Sequence, residues 1–188
     1  MKRKHLALLG LIPLLALTAC DGGVSAQQFK EEAAKVEAHT YSEATIKYDI
    51  DISMFLVSDK GTGEITYTCD DKGNWTTTST DKHAENMAGQ LTANLADFDP
   101  QSEMSADDIP EGIKFEVKYY INPFKVIGSI DGAYEEDGVN TTMKGAAEFR
   151  FDQYGYCTYY LVDINTEASM PNLTMRTKLY TKLEISYK

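Results

Sequence analysis

Residues 42–56 read Ser-Glu-Ala-Thr-Ile-Lys-Tyr-Asp-Ile-Asp-Ile-Ser-Met-Phe-Leu. Ala44, Ile46, Tyr48, Ile50, Ile52, Met54 and Leu56 share one parity, against Thr45, Lys47, Asp49, Asp51, Ser53 and Phe55. Successive side chains of a strand point to opposite faces, so a period of two predicts a long strand with one buried face and one wet face. After it, Ser58-Asp59-Lys60-Gly61 has the chemistry of a turn. Glu64 to Cys69 reads as a second strand, Asp70-Asp71-Lys72-Gly73 as another turn, and Trp75 to Thr80 as a third strand.

The same alternation resumes downstream. Ile113, Phe115, Val117, Tyr119 and Ile121 alternate with charged or polar neighbours, and Asn122-Pro123 marks a turn or bend. Phe124, Val126, Gly128 and Ile130 continue it up to the turn Glu135-Glu136-Asp137-Gly138. Further strands are expected at Met143–Phe151, after the turn Asp152–Gly155 at Tyr156–Asn165, and after Pro171 at Leu173–Tyr187. Acid-then-glycine turns between alternating runs suggest a meander of antiparallel neighbours.

Two segments carry the helical period instead. Ser25 with Gln28 three residues on is a capping-box pattern, and Phe29, Ala33 and Val36 form a narrow stripe over 25–38. Thr80 or Asp81 can cap a helix over 81–98, with Ala84, Met87, Ala88, Leu91, Leu95 and Phe98 on one face. Residues 99–112, with two prolines and five acids, read as an exposed loop. The expected class is α+β, mainly antiparallel β: a curved sheet of about eight long strands, a half-barrel covered by one or two helices. An apolar concave face must be covered, because each large side chain buried is worth about 1.5–3 kcal/mol.

The first twenty residues follow a different logic. Lys2, Arg3 and Lys4 precede an apolar run, Leu6 to Leu17, interrupted by Pro13. The run is too short for the ~20 residues of a permanent span, and a basic start, an apolar centre and small final residues describe an export signal. Leu17-Thr18-Ala19-Cys20 resembles the lipobox of bacterial lipoproteins. The resemblance implies that residues 1–19 are a signal peptide, that Cys20 is lipidated, and that residues 20–24 tether one domain, 25–188, to the extracytoplasmic side of a cell-envelope membrane. Two acyl chains suffice for stable anchoring where one does not. A lipid-anchored curved sheet closed by helices also resembles the periplasmic lipoprotein carriers of the LolA and LolB type and the mycobacterial lipid-binding lipoproteins of the LppX and LprG type. That likeness rests on architecture and lipobox and carries over no functional residue.

Removing Lys2, Arg3 and Lys4 takes the net charge from −11 to −14. Such acidity excludes nucleic acid as a partner and keeps an exported protein soluble. Cys69 and Cys157 remain besides Cys20. A disulfide is permitted outside the cytoplasm, but Cys69 is in phase with Ile65 and Tyr67, whereas Cys157 is out of phase with Tyr160, Val162 and Ile164. That places the two sulfurs on opposite faces.

No cofactor or metal is expected. His39 and His83 lack partners at metal-ligand spacing, and His83, in the first turn of a helix, reads as a surface residue. Asp49 and Asp51 read as a solvated pair opposite the apolar face, and the acidic turns lack calcium-loop spacing. No nucleophile–base motif is visible, so an enzyme is not expected. Twelve tyrosines, several of them clustered at 154–160, fit either strand propensity or a binding surface. The expectation is a non-enzymatic binding lipoprotein, its partner a hydrophobic small molecule or a lipid held between sheet and helix. Candidate ligand contacts are Met87, Leu91 and Leu95 of the helix, with Tyr119, Phe149, Phe151 and Tyr160 of the strands. The alternative is an envelope protein-interaction module or surface adhesin without a pocket.

Overall fold

A computed structural model describes residues 23–54, 57–92, 95 and 109–188. Its centre is one curved, unclosed antiparallel sheet of eight strands. In chain order these are β1 (Glu43–Met54), β2 (Val57–Cys69), β3 (Trp75–Thr76), β4 (Ile113–Ile121), β5 (Phe124–Glu136), β6 (Val139–Phe151), β7 (Cys157–Met170) and β8 (Leu173–Tyr187). The spatial order is β3-β2-β1-β8-β7-β6-β5-β4. Two meanders, β1 to β3 and β4 to β8, are thus zipped together where the last strand pairs with the first.

Tight turns set the register. Glu136 pairs with Val139 across Asp137 and Gly138, whose φ values of 52° and 76° are those of a primed hairpin turn. At Asp152 the carboxylate Oδ1 accepts from the backbone N–H groups of Tyr154 and Tyr156, each at 2.9 Å. Asp70 repeats the device toward Lys72 and Asn74.

Residues 58–61 are not a turn. Met54 pairs with Val57, so the β1–β2 connection is residues 55 and 56, which lie outside the described residues, and 58–61 belong to β2. The polar turn chemistry misleads here because cross-strand neighbours use it. Lys60 pairs with Asp51 at 3.0 Å, and Asp59 with Lys82. Glycines 61 and 63 make room for rings: a Cβ on Gly63 would lie 2.7 Å from the Tyr48 ring.

The helices are shorter than the expected spans. α1 covers Ala26–Ala33, and its capping box is present: Gln28 N–H donates to Ser25 Oγ, and Ser25 N–H to Gln28 Oε1. Between Thr80 and Leu95, the described helix is α2 (Ala84–Ala88), continued by a 3-10 turn over Gly89–Thr92. Phe98 lies outside the described residues. β3 likewise holds two residues of the expected third strand.

The core lies on the concave face and forms two clusters. Ala84, Met87 and Leu91 pack on Ala44, Ile46, Tyr48, Ile50, Ile65, Tyr67, Leu183 and Ile185. Phe29, Ala33 and Leu95 pack on Tyr119, Val126, Phe151 and Cys157. The convex face carries cross-strand ion pairs instead, among them Lys47–Glu64, Lys178–Asp51 and Arg176–Glu167. Exposed pairs of this kind add little stability; their consequence is that they keep the outer face wet. Asp51 is the exception to simple solvation, bridging Lys60 and Lys178, and the Lys178 hydrogen bond holds its carboxyl below the usual range.

Candidate functional site: an apolar depression in the concave face

Strand register lays the inner side chains out in rows. One row runs Phe115, Ile130, Gly145, Ile164, Leu179 and Ile52; the next runs Val117, Gly128, Ala147, Val162, Thr181 and Ile50. Gly128, Gly145 and Ala147 are the small members, and they are neighbours. A patch of small residues inside rows of large ones leaves a depression, and one lies there. It is partly open, with a volume of about 70 Å³, and is lined by Phe115, Gly128, Ile130, Ala147, Phe149, Tyr160, Val162, Ile164 and Leu179, with Ser129 and Ala146.

The two glycines of this floor differ. A Cβ on Gly145 would come within 2.6 Å of the Asp163 carbonyl oxygen and 2.9 Å of Ile164 Cα, so close strand approach requires glycine there. A Cβ on buried Gly128 would meet nothing nearer than Ala147 Cβ at 3.9 Å. Gly128 is therefore not needed for packing, and its missing side chain is part of the space. Among the described residues, no charged one lines the depression. Tyr160 brings a hydroxyl to it, and burial holds this phenol above its ordinary pKa, so it stays protonated, whereas exposed Ser129 borders the space from a strand position whose side chain faces the other way. A lining of this kind suits hydrocarbon and offers nothing to stabilise an ion.

The candidates named from sequence fall into three groups. Phe149 and Tyr160 line the depression. Met87 and Leu91 are buried in the first core cluster, and Leu95, Tyr119 and Phe151 in the second. The structure therefore does not bring the seven together around one space. The lining residues that sequence left unnamed are mainly small or β-branched. The signal that could have found them, small residues facing one another across β5 and β6, exists only once the register is known.

Other chemistry is tied up in structure. His83 is buried, not on the surface, at 5% exposure. Its backbone N–H donates to Asp81 Oδ1 at 2.8 Å, its ring lies 5.2 Å from that of Tyr48, and Nδ1 is 3.6 Å from Asp59. Tyr48 donates to Asp81, and burial followed by that bond pushes its phenol up to about 12. With Tyr67 Oη donating to the Ala84 carbonyl at 2.7 Å, these contacts clamp α2 onto β1 and β2. Among the described residues, no group of three or more His, Cys, Asp or Glu is placed to hold a metal.

Tyr154 packs on His39 and Tyr41, and Tyr156 on Tyr41 and Tyr187. Tyr41 stacks on Tyr187 at 4.9 Å and donates to Asp152 at 2.7 Å, while Tyr156 donates to the His39 carbonyl at 2.6 Å. They seal one end of the trough and hold the link between α1 and β1. An open groove of about 630 Å³ lies near that end, but Glu32, Lys35 and Glu37 line it, which disfavours an apolar occupant.

Both thiols are free. The phase reading of Cys157 fails because Arg150 pairs with Tyr159 and Phe151 with Cys157, leaving Thr158 as a bulge that returns Cys157 to the inner face. The cysteines stay apart for another reason: β1 and β8 stand between their strands. Burial pushes the Cys157 thiol up to about 11.

Residues 17–20 lie outside the described residues. Among those described, no helix is long and apolar enough to cross a membrane. Compared with protein-family models, curated proteins and solved structures, the chain finds no match.

Proposed function

We propose that this protein is an extracytoplasmic lipoprotein, held to a membrane of the cell envelope by lipid on Cys20, that binds the apolar part of a small molecule or lipid in the concave depression and performs no catalysis. The observation that carries the binding reading is the depression itself. It has an uncharged, largely aliphatic and aromatic lining, and one of its floor positions, Gly128, has unused room. The anchor is carried by the lipobox residues Leu17 to Cys20.

The volume constrains the ligand. About 70 Å³ is roughly half the ~150 Å³ of an apolar cavity that takes up benzene. The depression therefore receives a chain end or a small branched group, with the rest of the ligand lying along the trough. Preferential burial of the tail leaves any polar head outside, in solvent.

The test is extraction and refilling. Organic extraction of the purified protein, followed by mass spectrometry, should release a hydrophobic molecule, and the emptied protein should take up a fluorescent fatty-acid probe. Gly128→Leu should fill the space, leave the fold intact and abolish uptake. Uptake that survives Gly128→Leu unchanged rejects this site.

A further inference from the structure

The apolar inner face continues beyond the depression. β4 begins at Ile113, opposite Gly132, and β1 ends at Met54, opposite Thr177. The hairpins β5–β6 and β7–β8 run on past both, so four strands overhang the rest of the sheet at this end. Inner positions here, by strand parity, include Tyr134, Met143, Met170, Leu173 and Met175. Of the four large apolar side chains exposed among the described residues, three share this end and this face: Met54 (55% exposed), Val57 (63%) and Leu173 (49%). Met143, Met170 and Met175 are half-buried beside them. Four of the five methionines in the described residues are thus gathered on one surface, and Met87 alone lies in the core.

Single exposed apolar side chains are ordinary, but a contiguous group marks an interaction surface. Methionine is unbranched and polarisable and adapts to varied apolar partners. Four strands about 4.8 Å apart span roughly 14 Å, and a helix with its side chains is about 10–12 Å across. The charge at the rim then selects the partner. Glu135, Glu136 and Asp137 stand exposed at the tip of the β5–β6 hairpin, and the chain as a whole carries a net charge of −11. They repel an anionic membrane surface and attract a cationic partner. We propose that this overhanging inner face docks a basic amphipathic α-helix of a partner protein, apolar stripe against the methionines and basic flank against the acidic hairpin tip. The surface is distinct from the depression and does not depend on what fills it.

The probe is a fluorescein-labelled helical peptide of about 18 residues, five turns, with Leu on one face and Lys elsewhere. Its control replaces each Lys by Glu. Fluorescence anisotropy with the purified protein should show saturable, salt-sensitive binding of the Leu/Lys peptide and none of the Leu/Glu peptide. Leu173→Asp adds negative charge, so attraction by charge alone would tighten binding. Docking on the apolar face predicts the opposite, weakening of about tenfold, with Leu173→Met restoring it. Gly128→Leu should leave peptide binding unchanged while it blocks the fatty-acid probe. Equal binding of both peptides, tighter binding by Leu173→Asp, or capture of phosphatidylcholine vesicles without peptide binding would each overturn the inference. Loss of peptide binding in Gly128→Leu would do the same by merging the two sites.

Discussion

At Gly128 a buried strand position lacks a side chain although one would fit. Glycine inside a strand costs about 0.5–1 kcal/mol relative to alanine, and filling empty apolar space adds about 0.8 kcal/mol per methylene. Gly128→Ala should therefore raise the urea midpoint, with a gain on the order of 1 kcal/mol. Gly63→Ala should do the reverse, since its Cβ would press on the Tyr48 ring at 2.7 Å. Tyr48 also makes the clearest pH-dependent contact. Its hydroxyl donates to Asp81, and this bond is the first cause holding the Asp81 carboxyl below its ordinary 3.8. A carboxyl depressed in the folded state stabilises the fold above its unfolded pKa and loses that contribution as pH falls through the folded value. Tyr48→Phe should cost about 1–3 kcal/mol near neutral pH, and much less once Asp81 is protonated. Urea titrations at pH 7 and at pH 2–3 read the difference, and equal losses at both would show that the bond is not to an ionised carboxylate.

At the scale of elements, two short helical pieces do what a long helix was expected to do. α2 and its 3-10 extension cover β1, β2 and β8, and α1 with Leu95 covers the opposite part of the sheet. Leu91 has no exposed surface. Truncating it to Ala should cost about 2–5 kcal/mol, detected as a lower thermal midpoint. The amphipathic stripe of residues 84–91 was legible because Ala84, Met87 and Leu91 recur at helical spacing. Its break at Gly89 into a 3-10 turn was not, because the choice depends on how the chain must descend onto the sheet. The β1–β2 hairpin shows the same limit: Asp59, Lys60 and Gly61 are turn residues by type, but cross-strand partners on β1 and Lys82 make them strand residues in place.

For the whole molecule, the pairing of β8 with β1 is the decisive event. It joins two meanders into one sheet and keeps the strands of Cys69 and Cys157 apart. Mass spectrometry of protein alkylated in denaturant without reductant should find both thiols modified; a Cys69–Cys157 disulfide instead would require a sheet order other than this one. The proposed lipid anchor is tested at this scale too. Cys20→Ala should shift the protein from the membrane fraction to the soluble fraction of its host, and intact mass of the wild type should show a lipidated chain starting at Cys20.

Local rules were sufficient wherever neighbours along the chain decide the outcome. Strand identity follows from the period of two, the α1 start from Ser25 and Gln28, and the hairpin at Asp137-Gly138 from backbone freedom. The curved, one-faced sheet follows from these in turn, since every long strand has a single apolar side. What the sequence left open depends on residues far apart in it. Gly128 and Ala147 become one depression only because β5 and β6 pair in a particular register, and Cys157 turns inward only through a bulge at Thr158. The division of Met87 and Leu91 from Leu95, Tyr119 and Phe151 arises because separate helical pieces seat on separate parts of the sheet. Register, bulges and seating are chosen by the packing of the assembled face, and no local segment contains that choice.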